Sequence, residues 1–426
     1  MTSIESKSSF VSAPLTGSKA MSLPLFVVSQ IGQIKHAEAL CKHLNIYAAE
    51  LAIIWTAANG KMPTIISETA STSIFSIHRF IEIDPQSNSF SVPIAMENQR
   101  IYGDLLDDAR PTSLFVCSNE RHYSLLIRQA NERSIPVHLF EEGAGSFKGL
   151  QPDYIPFAPP SFADEIASIY RRIWKETAFF KHIIVPIYRL VRDIAKLPVL
   201  IAKTIVDLRN APSSQVKIIN KRFPSFAHGT KKFVNIYSSD PDLMRNIFEA
   251  DNFIEVRASY DDVALIFKTN EIVKKYGIDE NTAIYAAQHF VLDTDILNSA
   301  IVKALNRISE KTGWRILIKI HPKEPPSSAI RFSEAISKSR NIDVIMGDCP
   351  PAEYLALHSE CQAVISISSS TLLYAPQHKP GLRSITIGDE VLQSVGTVKQ
   401  SGVLMISENM KIMRAIHYIE NSLDID

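Results

Sequence analysis

The sequence is poor in the features that would mark a secreted, membrane-spanning or nucleic-acid-binding protein. Its four cysteines, Cys41, Cys117, Cys349 and Cys361, are widely spaced and include no C-x-x-C pair. This spacing favours buried thiols in a reducing cytoplasm over a disulfide framework or a zinc site. No uncharged apolar run reaches the roughly 20 residues that a membrane-spanning helix needs. Residues 1–22 are Ser-rich and lack the apolar core of a signal peptide, so we predict a disordered tail there.

The whole chain has no excess of positive or negative charge, but one stretch of it is basic. Lys and Arg number 45, as do Asp and Glu, so no global charge argues for a nucleic-acid partner. Residues 160–222 nevertheless contain twelve basic and five acidic residues, an excess of seven positive charges. Large apolar residues with a basic face suit an anionic membrane surface or a groove for a polyanionic polymer. A helical subdomain with a solvated charged face explains the same pattern, and the sequence slightly favours that explanation.

Short β-branched runs alternate with helical patterns along most of the chain. At 426 residues the chain exceeds one ordinary core, so we predict two domains. The clearest predicted strands are residues 25–29, 114–118, 137–140, 231–239, 284–287, 316–320, 363–367 and 384–387. Residues 231–239 are interpreted as the last strand of the first domain, and residues 409–421 as a closing helix. Residues 64–67 are ambiguous between helix and strand.

This alternation predicts two Rossmann-like α/β halves, each with a parallel sheet, facing each other across a central cleft. We predict an N-terminal domain at 23–270, including a basic helical insertion at 160–222, and a C-terminal domain at 271–426. Ligands of such folds bind at the carboxyl ends of the strands. The residues that directly follow the predicted strands are therefore the candidate site residues.

Two strands of the second half end in polar residues that suit a nucleotide. The run 316–320 is followed by His321 and Pro322. The run 363–367 leads into Ser368, Ser369, Ser370 and Thr371, after which a helical pattern begins at once. A hydroxyl-rich helix N-terminus offers unpaired N–H groups and the positive end of the helix dipole, which together favour a phosphate.

A pair of carboxylates ends a strand of the first half. Glu141, Glu142 and Gly143 directly follow the predicted strand 137–140. The acids could belong to a solvated loop or to a helix N-cap. They could equally supply a general base held at the cleft, with the glycine permitting close approach of a substrate. Position alone does not separate these alternatives.

A possible metal motif is weaker. Asp293, Thr294 and Asp295 match the D-x-D of metal-dependent glycosyltransferases. Asp295 is also a suitable cap for the helix that follows, and the tripeptide is common by chance. We therefore do not predict a metal site.

The acidic pair with its glycine, the His-Pro pair and the serine-threonine run share their order with three motifs of bacterial sialyltransferases. The surrounding segments HLFEEGAGSF, ILIKIHPKE and AVISISSSTLLYA most resemble the bacterial capsular polysialyltransferase family. Each motif alone is weak, whereas all three in order, each at a predicted strand end, are more specific. The chain departs from several sialyltransferase families in carrying Glu-Glu where they carry Asp-Asp.

The resemblance implies a GT-B fold and roles for the residues of each motif. Glu141 would be the general base, although either member of the pair, Glu141 or Glu142, fits the motif. His321 would donate to, or stabilise, the departing phosphate. Ser368, Ser369, Ser370 and Thr371 would bind that phosphate.

Four further residues are nucleotide-binding candidates under this resemblance. Glu353 matches the place where related enzymes keep an acid for the ribose hydroxyls. Gln288, Lys319 and Pro322 are weaker candidates.

The activity implied is an inverting, metal-independent transfer of sialic acid from CMP-sialic acid to an anionic glycan. Elongation of an alpha-2,8- or alpha-2,9-linked polysialic acid capsule, in the cytoplasm or at the inner face of its membrane, is the leading hypothesis. The alternatives are single addition to lipooligosaccharide, a GT-B transferase using a CDP-linked donor, and a non-catalytic capsule-assembly or glycan-binding protein. The resemblance implies no cofactor, and residues 160–222 would supply any peripheral membrane contact.

Overall fold

A computed structural model describes most of the chain outside one long internal segment. The described residues are 22–56, 60, 62–88, 91–150, 212–290, 292, 294–321, 324, 326–337, 339–395 and 401–425. Four sequence predictions therefore lie wholly or mostly outside them: the tail up to residue 21, residues 160–211 of the basic insertion, Asp293 and Pro322.

The first half of the chain forms a seven-stranded parallel sheet. Its order is β3-β2-β1-β4-β5-β6-β7, and each neighbouring pair is parallel. The strands are β1 (Leu25–Val28), β2 (Ala49–Trp55), β3 (Phe75–Glu82), β4 (Leu114–Val116), β5 (Val137–Phe140), β6 (Lys232–Ser238) and β7 (Glu249–Glu255). Strands β1, β4 and β5 are buried throughout, as central parallel strands should be.

The second half forms a six-stranded parallel sheet with the same winding. Its order is β10-β9-β8-β11-β12-β13. The strands are β8 (Thr282–Ala286), β9 (Arg315–Lys319), β10 (Ile342–Val344), β11 (Ala363–Ser366), β12 (Arg383–Thr386) and β13 (Glu420–Asn421). The strand order reverses between β1 and β4 in one sheet and between β8 and β11 in the other, while all strands stay parallel. Each reversal opens a crevice at the carboxyl ends of the strands.

Helices connect the strands of both sheets. Those of the first half are α1 (Ile31–His43), α2 (Met62–Thr69), α3 (Val92–Ala109), α4 (His122–Glu132), α5 (Pro212–Arg222), α6 (Pro224–His228) and α7 (Pro241–Arg245), with a 3-10 turn at Ala144–Leu150. The others are α8 (Val263–Tyr276), α9 (Thr294–Thr312), α10 (Pro326–Ala335), α11 (Ala352–Leu357), α12 (Thr371–His378), α13 (Gly388–Val395) and α14 (Ser401–Arg414), with a 3-10 turn at Ser422–Asp424.

This architecture confirms the predicted α/β class with two Rossmann-like halves, which is the GT-B arrangement. Helix α8 lies between the last strand of the first sheet and the first strand of the second. The exact domain bounds, 23–270 and 271–426, remain a prediction. No helix in the described ranges combines the length and apolar character needed to cross a membrane.

Three details of the sequence prediction were wrong or incomplete. Strand β6 is not the last of its sheet, because β7 pairs along it from Lys232 to Ser238. Three acids in β7 (Glu249, Asp251 and Glu255) obscure its strand pattern, and as an edge strand β7 can carry them.

The closing helix ends at Arg414, since residues 420–421 instead extend the second sheet beside β12. The ambiguous residues 64–67 lie in helix α2.

Candidate functional site

The first carboxylate of the acidic pair is fixed in place by four hydrogen bonds. Glu141 directly follows β5 and is 1% exposed. Its Oε2 accepts hydrogen bonds from the Ser238 hydroxyl at 2.9 Å, the Ser239 amide at 2.6 Å and the Ser239 hydroxyl at 2.8 Å. Its Oε1 accepts one from Tyr374 Oη at 2.7 Å, across the boundary between the two halves. A buried carboxylate is stable only when it is paired in this way.

The second carboxylate has a different environment. Glu142 is partly exposed, and its Oε2 accepts a hydrogen bond from Gln33 Nε2 at 3.3 Å. Desolvation raises the pKa of Glu142 to about 7. The positive charge of Lys148 and the hydrogen bond from Gln33 act against this rise, and the negative charge of Glu120 adds to it. A partly exposed carboxyl that titrates near neutrality is suited to accept a proton.

The glycines after the pair allow two close approaches. Gly143 has φ +123°, and a Cβ built there would lie 3.8 Å from Tyr374 Oη and 3.9 Å from Ser370 Cβ. The acidic loop therefore lies against helix α12 of the other half. A Cβ on Gly145 would come within 2.6 Å of Glu142 Oε1, so the observed position of that carboxylate requires a glycine there.

The start of the hydroxyl-rich segment is fixed by other side chains. Gln288, which follows β8, accepts hydrogen bonds at Oε1 from the Ser368 amide at 2.6 Å and the Ser368 hydroxyl at 3.2 Å. Asn409 of α14 also donates to Ser368 Oγ, at 3.1 Å. Through these hydrogen bonds, Gln288 and Asn409 hold Ser368, the first residue of the hydroxyl-rich segment, in place. The direct nucleotide and phosphate contacts that the resemblance implies for Gln288 and Ser368 stay a prediction.

The next three residues, Ser369, Ser370 and Thr371, form the N-terminal end of helix α12. Thr371 Oγ1 donates to Glu353 Oε1 at 2.8 Å, and the Thr371 amide donates to Ser369 Oγ at 3.3 Å. Ser370 is the N-cap residue, and its side chain makes no capping hydrogen bond. Ser370 is also partly exposed, so its hydroxyl remains available for an anion at this helix end.

Two basic side chains lie at the carboxyl end of β9, Lys319 as its last residue and His321 after it. Lys319 is 6% exposed, and burial lowers its pKa, against which the nearby Cys349, Glu353 and Asp348 act. His321 lies two residues further on, near Glu324. Burial acts to raise the pKa of Glu324. Hydrogen bonds from Ser328 and His289, together with the nearby His289 and His321, outweigh burial and hold the pKa of Glu324 below its usual value.

Hydrogen bonds thus connect the acidic pair, helix α12 and Glu353, and an electrostatic interaction adds Lys319 to this region. The acidic pair meets α12, α12 meets Glu353, and Lys319 interacts with Glu353. The described residues contain no group of three or more His, Cys, Asp or Glu side chains that could hold a metal ion.

Sequence reasoning missed four side chains of this region: Gln33, His36, Ser239 and Tyr374. They lie in α1, after β6 and in α12, and none belongs to a recognisable motif. The adjacent serines that end the predicted run 231–239, Ser238 and Ser239, were the one available signal, because polar residues at a strand end are candidates by the same rule that selected Glu141.

Comparison with known proteins gives one family match and many weak structural matches. A family model described as Alpha-2,8-polysialyltransferase (POLYST) matches residues 24–387. No curated protein sequence matches the chain.

Solved structures with low sequence identity resemble the chain along most of its length. UDP-GlcNAc 2-epimerase from Neisseria meningitidis has 14% identity and a TM-score of 0.44, covering 93% of this chain and 91% of that one. The Methanocaldococcus jannaschii UDP-GlcNAc 2-epimerase has 13% identity and a TM-score of 0.46, covering 93% and 92%. MurG of Acinetobacter baumannii has 10% identity and a TM-score of 0.43, covering 93% and 84%.

Proposed function

The chain belongs to the alpha-2,8-polysialyltransferase family, and from this premise we propose that it transfers sialic acid from CMP-sialic acid to a sialylated glycan. As a glycosyltransferase of this family it takes a nucleotide-sugar donor and a glycan acceptor. The finer proposal concerns the donor, the growing polysialic acid chain as acceptor, and the residues that perform the transfer.

The observation that carries the proposal is the meeting of an acid loop and a hydroxyl-rich helix end. Glu142 titrates near neutrality, and the adjacent Gly143 lies against Ser370 across the boundary between the halves. Transfer of a sugar from a phosphate needs a base beside the attacking hydroxyl and positive groups beside the leaving phosphate. This pair of neighbouring features supports both requirements.

We assign the role of general base to Glu142. Its carboxylate is partly exposed and has one hydrogen bond from Gln33. Glu141 is also a carboxylate, but its two oxygens already accept four hydrogen bonds and it is 1% exposed. We propose that Glu141 instead fixes the loop from which Glu142 extends.

The reaction then proceeds by a single displacement. The acceptor hydroxyl forms a bond to the anomeric carbon as the bond from that carbon to the CMP phosphate oxygen breaks, which inverts the configuration. Glu142 takes the hydroxyl proton. The charge that develops on the phosphate is stabilised by Ser369, Ser370 and the N–H groups of helix α12, with His321 as the proton donor.

We propose the remaining donor contacts from the same region. Glu353 would accept hydrogen bonds from the ribose hydroxyls, and Lys319 would add positive charge beside the phosphate. Because these groups and the helix end balance the leaving charge, we expect the transfer to proceed without a divalent metal.

The biological setting proposed is elongation of a capsular polysialic acid at the inner face of the cytoplasmic membrane. The sequence supports it through the excess of seven positive charges at 160–222, which would attract an anionic polymer or lipid surface. Product analysis distinguishes alpha-2,8 from alpha-2,9 linkages and chain elongation from single addition to lipooligosaccharide.

The test is a donor comparison on the purified full-length chain. CMP-sialic acid and CDP-linked sugars are each incubated with a short sialic acid oligomer, with and without EDTA. We expect release of CMP and a longer oligomer, unaffected by EDTA. Turnover of the CDP-linked sugars alone would contradict the donor assignment, and absence of turnover with every donor would favour a binding protein.

A further inference from the structure

One phenol of the second half is buried against the strand ends of the first. Tyr374 is 4% exposed and donates its hydroxyl hydrogen to Glu141 Oε1 at 2.7 Å. Burial, together with the negative charge of Glu141, raises the pKa of Tyr374 well above its usual value of 10. The phenol therefore stays neutral and remains a hydrogen-bond donor over the whole working pH range.

The same helix face also carries the proposed phosphate contact. The Tyr374 amide donates to the Ser370 carbonyl at 3.0 Å, so these two residues are one helical turn apart. Both lie close to Gly143, at 3.8 Å for Tyr374 Oη and 3.9 Å for Ser370 Cβ from a Cβ built on the glycine. A single turn of α12 thus contacts the acid loop with one residue and presents its phosphate-binding end with the other.

Glu141 depends on this contact from the other half. Ser238 and Ser239, both of the first half, donate only to Oε2. The hydrogen bond to Oε1 comes from Tyr374 of the second half. Loss of that donor would leave a buried carboxylate oxygen unpaired, which is costly and would favour movement of the loop that includes Glu142.

A neighbouring histidine packs against the phenol. The rings of His36 and Tyr374 lie 5.0 Å apart, and His36 is buried. Burial lowers the pKa of His36, although the charge of Glu141 opposes this shift. A neutral imidazole packed in this way limits the rotation of the Tyr374 ring and so maintains its direction toward Glu141.

We propose that Tyr374 is a positioning residue that links the phosphate-binding half to the proposed base, so that Glu142 is held in place when the two halves are closed on each other. This inference rests on the proposed function. It predicts that Tyr374 contributes to the transfer step through Glu142 and contributes little to binding of CMP.

The experiment combines two substitutions, Tyr374→Phe and Glu142→Gln, singly and together. Tyr374→Phe retains the ring and removes the hydroxyl. We expect kcat to fall by about 10- to 100-fold, as for a catalytic group displaced by roughly 1 Å, while the Kd for CMP stays within about twofold of the wild type. In the Glu142→Gln background the same change should have almost no effect on the residual rate, because the residue it positions is no longer a base.

The control is Tyr285→Phe, which removes a buried hydroxyl that has no hydrogen-bond partner, in strand β8. Its kcat should match that of the wild type. If Tyr374→Phe does not fold, Glu141→Asp is used instead, because a carboxylate shortened by one methylene cannot retain its bonds to Tyr374 and Ser239 together.

Two results would overturn the inference: an unchanged kcat in Tyr374→Phe, or an equal loss of rate with and without Glu142. Failure of the proposed function would look different. In that case the wild type itself would transfer no sialic acid from CMP-sialic acid, whereas a fully active Glu142→Gln would refute only the assignment of the base.

Discussion

Gln33 Nε2 donates a hydrogen bond to Glu142 Oε2 at 3.3 Å. The direction of the Gln33 amide is fixed from behind, because its Oε1 accepts hydrogen bonds from the Ser29 amide at 2.6 Å and the Gln30 amide at 3.0 Å. The nitrogen is therefore directed at the carboxylate. Gln33 at the start of helix α1 thus orients the proposed base Glu142, as Tyr374 holds the preceding residue Glu141.

Gln33→Glu should move the pH dependence of transfer to higher pH. The substituted side chain can still accept from the two amides, but it no longer donates to Glu142 and it adds a like charge. Both changes raise the pKa of Glu142 further above about 7. In a pH profile of kcat/KM, the rate at pH 6.5 should fall more than the rate at pH 8.5.

Glu120→Gln is the matched variant, which should shift the pKa of Glu142 in the opposite direction. The charge of Glu120 raises the pKa of Glu142, so its removal should move the acid limb of the profile to lower pH. Profiles that move in the same direction in both variants, or in neither, would contradict Glu142 as the titrating group.

Gly145→Ala should lower kcat and leave folding almost intact. A Cβ at this position would come within 2.6 Å of Glu142 Oε1, so the carboxylate must move. A displacement of the base by about 1 Å can cost up to about 100-fold in rate. Gly32→Ala is the control, because an added Cβ there meets no atom within 4 Å. Equal rates in the two variants would argue against a fixed position for Glu142.

Ser370→Ala and Ser368→Ala should separate phosphate binding from support of the loop. The Ser370 side chain makes no capping bond, so its loss should weaken CMP binding by about 10- to 150-fold, the value of one hydrogen bond to a charged group, with little change in Tm. The Ser368 hydroxyl accepts from Asn409 and donates to Gln288, so its loss should mainly lower Tm. Calorimetric titration of CMP and thermal unfolding measure the two effects, and the reverse pattern would exchange the roles.

Glu142→Gln should stabilise the fold above neutral pH. In the folded chain the pKa of Glu142 is raised from 4.5 to about 7. At pH values below 4.5 the group is protonated in both states, and it does not oppose folding. As the pH rises from 4.5 to about 7, the unfolded chain ionises while the folded chain keeps the proton, so stability falls across this window and stays low above about 7. The variant should therefore have a higher Tm than the wild type at pH 8 and a similar Tm at pH 4.5; no difference at pH 8 would contradict the raised pKa.

The sequence predicts the sheets well, because central parallel strands are continuous β-branched runs. The predicted strand 137–140 agrees with β5 in every residue, and 363–367 agrees with β11 to within one. Strand β3 was missed because it is a partly exposed edge strand containing His78 and Arg79. Edge strands lack the apolar pattern on which the prediction depends.

The candidate site was predictable only where residues directly follow strands. That rule selects Glu141, Glu142 and Ser368, which lie in the region between the sheets. It cannot find Tyr374, which is 233 positions from Glu141 in sequence. It also cannot distinguish Glu141 from Glu142, because their difference comes from burial and from donors in other elements.

The most direct test of the account is the rate of sialic acid transfer from CMP-sialic acid, measured against pH for the wild type, Glu142→Gln and Glu141→Gln. We expect the wild-type kcat/KM to rise with pH to a plateau above about 7, and Glu142→Gln to lose about 10²- to 10⁴-fold of kcat with CMP affinity retained. Glu141→Gln, which can still accept from Tyr374, should lose less. A fully active Glu142→Gln beside an inactive Glu141→Gln would contradict the assignment and make Glu141 the base.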